Sequence, residues 1–259
     1  MRFVTTVGHI RKLIKEAINS SPVDASQSTQ LLSKFPKFLE KIGVSDASSL
    51  KTIATGTRGT ALETPDGKVL KVTNDEKEAA ASAALTGLGG DVPGVVKVFG
   101  VWQLGDSNVF AILQEKLEPI SDADGKEFNS ALIATAVPLW MAKSGGDWSV
   151  VKEKTKSHIA AKAKKDFGGI STPEAQEFVK KANAAWNLLV TKFHLRDLFQ
   201  TLTAIGIDFH DYHAGNMMKR PDTGELVLID LGMSRVRGKG GRIETVTEAI
   251  KRIIKKIIG

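Results

Sequence analysis

Asp211 is followed five positions later by Asn216, and Asp230 stands at the end of the apolar run "LVLI", just before Leu231 and Gly232. These are the oxygen donors that transfer of the γ-phosphoryl group of ATP requires. A carboxylate has to orient the attacking hydroxyl, and oxygen ligands have to hold Mg2+ on the phosphates. Most of that chemistry is positioning and charge neutralisation. Asp211 fits the orienting carboxylate or base. Asn216 offers a carbonyl oxygen and Asp230 a carboxylate as metal ligands. Asp208 does not fit the first role, because the residue five positions on is His213.

The phosphates also need a cation and a closely approaching backbone. Gly56 and Gly59 fall in a strand–turn–strand and let backbone come close to phosphates. Lys71 follows in the strand "VLKV". Val69 shares its strand face and can roof an adenine, whereas Lys68 falls on the opposite face. Glu78, on the next helix, can pair with Lys71 and fix it, with Glu76 as the competitor. The segment "LQEKL" offers main-chain groups at Glu115 and Leu117 to the adenine edge. Each part occurs in the order a phosphotransfer site needs.

The elements that must position these residues are partly legible. In 51–118, "IATGTRGTALETPDGKVLKV" reads as two strands joined by a "TPDG" turn. An alanine-rich helix capped by Asn74 comes next, and then two strands around "LGDSN". The stretch 119–205 reads as mainly helix: "SALIATAVPLWMAK", the lysine-rich "SVVKEKTKSHIAAKAKKDF", and one long helix from Thr172 and Pro173 to Gly206. A strand "NMMK", a turn "RPDTGE" and a strand "LVLID" bring Asn216 and Asp230 back together. Residues 1–50 read as two helical stretches. The first carries Val7, Ile10, Ile14 and Ile18 on one face. The second is bent or ended by Pro36 and stopped by Gly43.

The 259 residues suffice for one large domain or two small lobes. The absence of cysteine excludes disulfides and thiolate chemistry. Arg11, Lys12 and Lys15 interrupt the start where a signal peptide needs an apolar core, so a cytoplasmic location is expected. The net charge is +7, and from Arg235 onward eight Lys or Arg face two Glu. The remainder is close to neutral, unlike a uniformly basic nucleic-acid binder. The basic end "RIETVTEAIKRIIKKIIG" places Ile243, Val246, Ile250, Ile253, Ile254 and Ile257 near one helical face. Packing of that face on the preceding domain is favoured over docking to a membrane surface or an acidic partner.

"HDYHAGN" with "IDLG" is similar to the catalytic loop and metal-binding segment of the protein-kinase-like superfamily. The D-x-H-x-G-N form most resembles the aminoglycoside phosphotransferase branch and the small serine/threonine kinases of short-tailed bacteriophages. The resemblance covers about 51–235. It implies an α+β, bilobal kinase-like fold with a β-rich N-lobe at 51–118 and a reduced helical C-lobe at 119–235. An N-terminal helical extension at 1–50 and a basic amphipathic tail helix at 236–259 flank it. It implies ATP and Mg2+ as cofactors, and a catalytic set of Asp211, Lys71, Glu78 and His213, with His213 holding the loop by hydrogen bonds. Nucleotide contacts fall to Gly56, Gly59, Val69, Lys71, Glu115 and Leu117, and metal ligation to Asn216 and Asp230.

The chain departs from the protein-kinase pattern in several places. Phe209 and His210 stand where that family has His and Arg, so activation-loop phosphorylation is not expected to govern activity. Ala54 replaces the first loop glycine, and Leu231 the phenylalanine after the metal aspartate. Only 27 residues follow Gly232, so the family's peptide-binding helices are not expected in this chain. The expected activity is phosphorylation of serine or threonine hydroxyls on host or self proteins, in the host cytoplasm if the chain is phage-encoded. The alternatives are a small-molecule kinase of the aminoglycoside type and an ATP-binding pseudokinase. The basic tail repels a cationic drug and suits an acidic protein substrate. Ser234 and the hydroxyl residues near 55–64, threonines within that span, are candidate autophosphorylation sites. A metal hydrolase built on His210, Asp211 and His213 is the rival of another class, but it needs further ligands on separate helices. His9, His158 and His194 lack a partner pattern, and His194 reads as a residue within the long helix.

Overall fold

The computed structural model describes residues 25–56, 59–87, 89, 92–105, 108–209, 211–232 and 234–236. The apolar face at Val7–Ile18, Thr57 and Arg58 between the loop glycines, His210 and the amphipathic tail 237–259 lie outside them. The chain divides into two compact units, Met1–Asp75 with Gln103–Ala111 and Glu76–Trp102 with Ile112–Gly259.

In the first unit, α1 (Ala25–Leu32) and α2 (Pro36–Lys41) replace the single helical stretch expected around Pro36. The proline sits in the first turn of α2, where its missing N–H has no intrahelical partner to lose. Gly43, at φ 76°, ends the stretch. Leu32, Leu39 and Val44 are buried. Then come β1 (Lys51–Gly56), β2 (Gly59–Glu63) and β3 (Val69–Thr73), three strands where the sequence suggested two. β1 pairs antiparallel with β2 through an irregularity between Thr52 and Ala54, and β2 pairs antiparallel with β3. Thr64 closes the "TPDG" turn, donating its N–H to the Lys68 carbonyl at 2.9 Å and accepting the Lys68 N–H at 3.0 Å. Every residue of β1 is exposed, whereas Leu62, Leu70 and Val72 are fully buried.

The architecture is α+β, with a five-stranded antiparallel sheet in the order β1-β2-β3-β5-β4, where β4 is Val98–Gln103 and β5 Phe110–Gln114. In the second unit, α3 (Glu76–Thr86) follows Asn74 and Asp75, with Glu76 and Glu78 in its first turn. Its alanines 79–81 are buried. After β6 (Glu118–Pro119), the helices are α4 (Asp122–Thr135), α5 (Val137–Lys143), α6 (Trp148–Phe167), α7 (Pro173–Thr191) and α8 (Leu195–Ala204). Two helices expected to be continuous are broken at non-glycine residues in the left-handed region, Ala136 at φ 51° and His194 at φ 49°. Pro138 lies in the first turn of α5 and cannot donate to a continuing ladder. At His194 the chain turns so that Leu195, Leu198, Phe199 and Leu202 bury one face of α8. His194 therefore lies between two helices rather than within one. The lysine-rich helix forms as expected, from an Asp147 cap to Gly168 at φ 72°.

No helix among the described residues is long and apolar enough to cross a membrane.

Candidate active site

After α8, the described residues of the second unit form four short strands, β7 (Ile207–Phe209), β8 (Met217–Lys219), β9 (Leu226–Leu228) and β10 (Ser234–Val236). β7 pairs antiparallel with β10, Phe209 facing Ser234. The strand before Asp211 and the strand after Asp230 therefore run side by side. β8 pairs with β9, Met217 facing Leu228, and the Ile229 N–H donates to the Asn216 carbonyl at 2.9 Å. This hairpin brings Asn216 to the residue adjoining Asp230. Its turn, at 220–225, is closed by Gly224 at φ 74°, a conformation that favours glycine.

Asn216 is buried, at 6% exposure. Its Nδ2 donates to the Asp211 carbonyl at 2.9 Å and to Asp211 Oδ2 at 3.2 Å. The amide nitrogen is thus committed to Asp211, and the opposite end of the amide is the carbonyl a hard cation needs. His213 Nδ1 accepts the Gly215 N–H at 3.0 Å. A neutral His213 therefore carries its proton on Nε2, which lies 3.5 Å from Asp211 Oδ2. A Cβ on Gly215 would come within 2.9 Å of the His213 ring. Each fixed letter of D-x-H-x-G-N has a local contact: the asparagine holds the aspartate, the histidine caps the turn, and the glycine makes room for the histidine. Asp230 Oδ1 accepts the Gly232 N–H at 2.9 Å, which fixes its carboxylate.

Below the loop, Phe209 and Tyr212 are buried and meet edge to face at 4.7 Å. Burial, and then the Asp208 charge, push the Tyr212 hydroxyl well above its ordinary range, so it stays neutral. On its other side the loop is tied to α4, where the Ala214 N–H donates to Asn129 Oδ1 at 2.8 Å. Sequence reasoning missed Asn129. Its partner lies 85 positions away and no local pattern announces it.

Sequence reasoning also missed Arg220, read only as part of a turn. Its side chain is 13% exposed. It donates to Glu115 from Nε at 3.1 Å and from Nη2 at 3.0 Å, to the Val95 carbonyl at 3.2 Å, and to Glu225. Hydrogen bonding to Glu115 is the main cause that raises its pKa above the ordinary arginine value. Glu225 also accepts the Gly94 N–H, and Glu115 the Lys97 N–H at 2.7 Å. One guanidinium thereby ties the β8–β9 turn to the segment 94–97 and to Glu115. The Glu115 N–H donates to the Lys97 carbonyl at 3.0 Å, so an adenine edge at Glu115 is restricted to its carbonyl. Leu117 is buried just ahead of β6.

Of the two acids in the first turn of α3, Glu78 is buried at 3% and Glu76 is exposed. A carboxylate so deep is retained only with a charged or hydrogen-bonding partner. In the first unit, Lys71 is half-buried on β3 and Val69 buried, while Lys68 pairs with Asp66 at 2.6 Å. A Cβ on Gly59 would fall 2.3 Å from the Val72 carbonyl, so that glycine is demanded by contact with β3. A Cβ on Gly56 would meet nothing nearer than 3.8 Å.

Ser234, expected as a candidate autophosphorylation site, is instead enclosed. It is 1% exposed and its hydroxyl donates to the Leu231 carbonyl, so it is not presented for phosphorylation. No group of three or more His, Asp or Glu side chains placed to hold a metal occurs among the described residues. Nucleotide-borne Mg2+ needs only one or two protein oxygens, because phosphates supply others. Asn216 and Asp230 fit that requirement. Comparison with protein-family models gives no match, and comparison with curated proteins gives none.

Proposed function

We propose that the chain is an ATP- and Mg2+-dependent phosphotransferase of the protein-kinase-like type, acting on serine or threonine hydroxyls of proteins. The observation that supports this most is the hydrogen-bonded arrangement of Asp211, His213 and Asn216, closed by the β8–β9 hairpin that adjoins Asp230. Asp211 orients the acceptor hydroxyl and takes its proton. The Asn216 amide holds Asp211 with its nitrogen, and its oxygen would be a ligand for Mg2+. Asp230, fixed by the Gly232 N–H, is the second ligand. Mg2+ bound there supplies neutralisation of the phosphate charge. Lys71 is assigned to the phosphates and Glu78 to its orientation. The basic end of the chain supports an acidic protein acceptor.

Incubation with γ-labelled ATP, Mg2+ and a bacterial protein pool tests this. Label should reach protein hydroxyls, and Asp211→Asn should lower the rate by about 10²- to 10⁴-fold while the protein stays folded. Equal labelling by the variant would refute the assignment.

A further inference from the structure

α6 and α7 form a helical hairpin through the loop at 168–172, and a groove of about 790 Å³ runs along it. Its lining on α7 includes Val179, Lys180 and Ala184, and on α6 Lys156 and Ile159. The lining residues of α7 run from Gln176 to Asn187, a stripe about 16 Å long at helical rise. That matches about three turns of another helix. Ile170, in the connecting loop, also lines the groove and is 60% exposed.

The two charged residues that line the groove are both lysines. Lys156 and Lys180 line it from different helices, and both are exposed. Among the described residues the ion pair of Lys156 is with Glu153 of its own helix at 3.7 Å, a weak exposed pair. Lys180 has no ion pair among the described residues. α6 as a whole carries six lysines against two acids. The chain's own basic end, with eight Lys or Arg after 234 against two Glu, would meet like charge there.

We propose that the α6–α7 groove is a docking site for an amphipathic helix of a partner protein, with an apolar stripe flanked by Glu or Asp. The apolar stripe covers Ile159, Ile170 and Val179, and the acidic flanks meet Lys156 and Lys180. This is the helix-in-groove mode of recognition, in which pocket contacts give affinity and flanking charge selects the partner. The proposal does not depend on phosphotransfer. All its residues lie in the second unit, and none belongs to the loop at 211–216.

The test uses the full chain and fluorescence anisotropy with two synthetic amphipathic helices that share a leucine stripe, one flanked by Glu and one by Lys. The Glu-flanked helix should bind, more weakly as salt rises, and the Lys-flanked helix should not. The double variant Lys156→Glu/Lys180→Glu should reverse that preference, with a change of about tenfold or more in each direction. A reversal of preference is something a damaged fold cannot produce. Ile170→Asp, in an exposed loop position, should weaken the Glu-flanked helix. The proposal is overturned if both helices bind alike, if charge reversal leaves the preference unchanged, or if Ile170→Asp has no effect. It is equally overturned if poly-glutamate or single-stranded DNA competes as well as the Glu-flanked helix, since the site would then read anionic charge alone.

Discussion

Two regions of the molecule carry glycine beside residues suited to phosphate chemistry, and they use it differently. In the loop at 211–216, Gly215 leaves space for the His213 ring, and that ring caps the same turn. Its motif residues bond to one another. In the β1–β3 segment, Gly59 leaves space for the β3 backbone at Val72, and Gly56 leaves space for nothing described. Those glycines are explained by strand packing, or not at all, before any ligand is invoked. A motif whose members contact each other carries a functional reading further than one whose members answer to separate neighbours.

The comparison can be broken most forcefully at Arg220, which anchors the β8–β9 hairpin that follows the loop. Arg220→Met strands Glu115 and Glu225, both partly buried. Removing one partner of such a pair costs about 3 kcal/mol, read as a lower denaturant midpoint. If stability is unchanged, the hairpin is not held through that guanidinium. Next in size is Gly59→Ala, whose Cβ meets backbone that cannot step aside. A loss of about 1–3 kcal/mol is expected, with Gly56→Ala within about 0.5 kcal/mol of the parent. Phosphotransfer lost in Gly56→Ala at unchanged stability would restore a phosphate role to this turn. Gly215→Ala presses on a side chain rather than backbone. Its effect should fall on activity more than on the unfolding midpoint.

The smallest effect concerns the "TPDG" turn. Hydrogen bonds from Lys68 first, and then Thr64, hold the Asp66 carboxyl below the ordinary aspartate range. A depressed carboxyl pKa contributes stability that is present above the unfolded value and is lost as pH falls through the folded one. Asp66→Ala should therefore unfold slightly earlier than the parent at neutral pH, with the difference closing in acid. A gap that persists below the aspartate range would assign the effect to something other than ionisation.

Much of the first region was legible because its information is local. Asp211, His213, Gly215 and Asn216 lie within six positions, and the apolar strands on either side of "RPDTGE" announce the hairpin. The unread features depend on distance or on tertiary override of local pattern. Arg220 meets Glu115 across 105 positions and Val95 across 125. The helical pattern runs unbroken through Ala136 and His194, yet both adopt left-handed backbone so that the next helix can bury its own face. Ser234 looked available because it follows Asp230–Gly232, and pairing of β10 with β7 buries it.

The central claim is that Asn216 and Asp230 form one metal–nucleotide site, and calorimetric titration of ATP with and without Mg2+ addresses it most directly. The parent should bind ATP far more tightly with Mg2+, and Asp230→Asn and Asn216→Ala should each abolish that dependence while remaining folded. ATP binding that ignores Mg2+, or a Mg2+ dependence that survives both substitutions, would contradict the account.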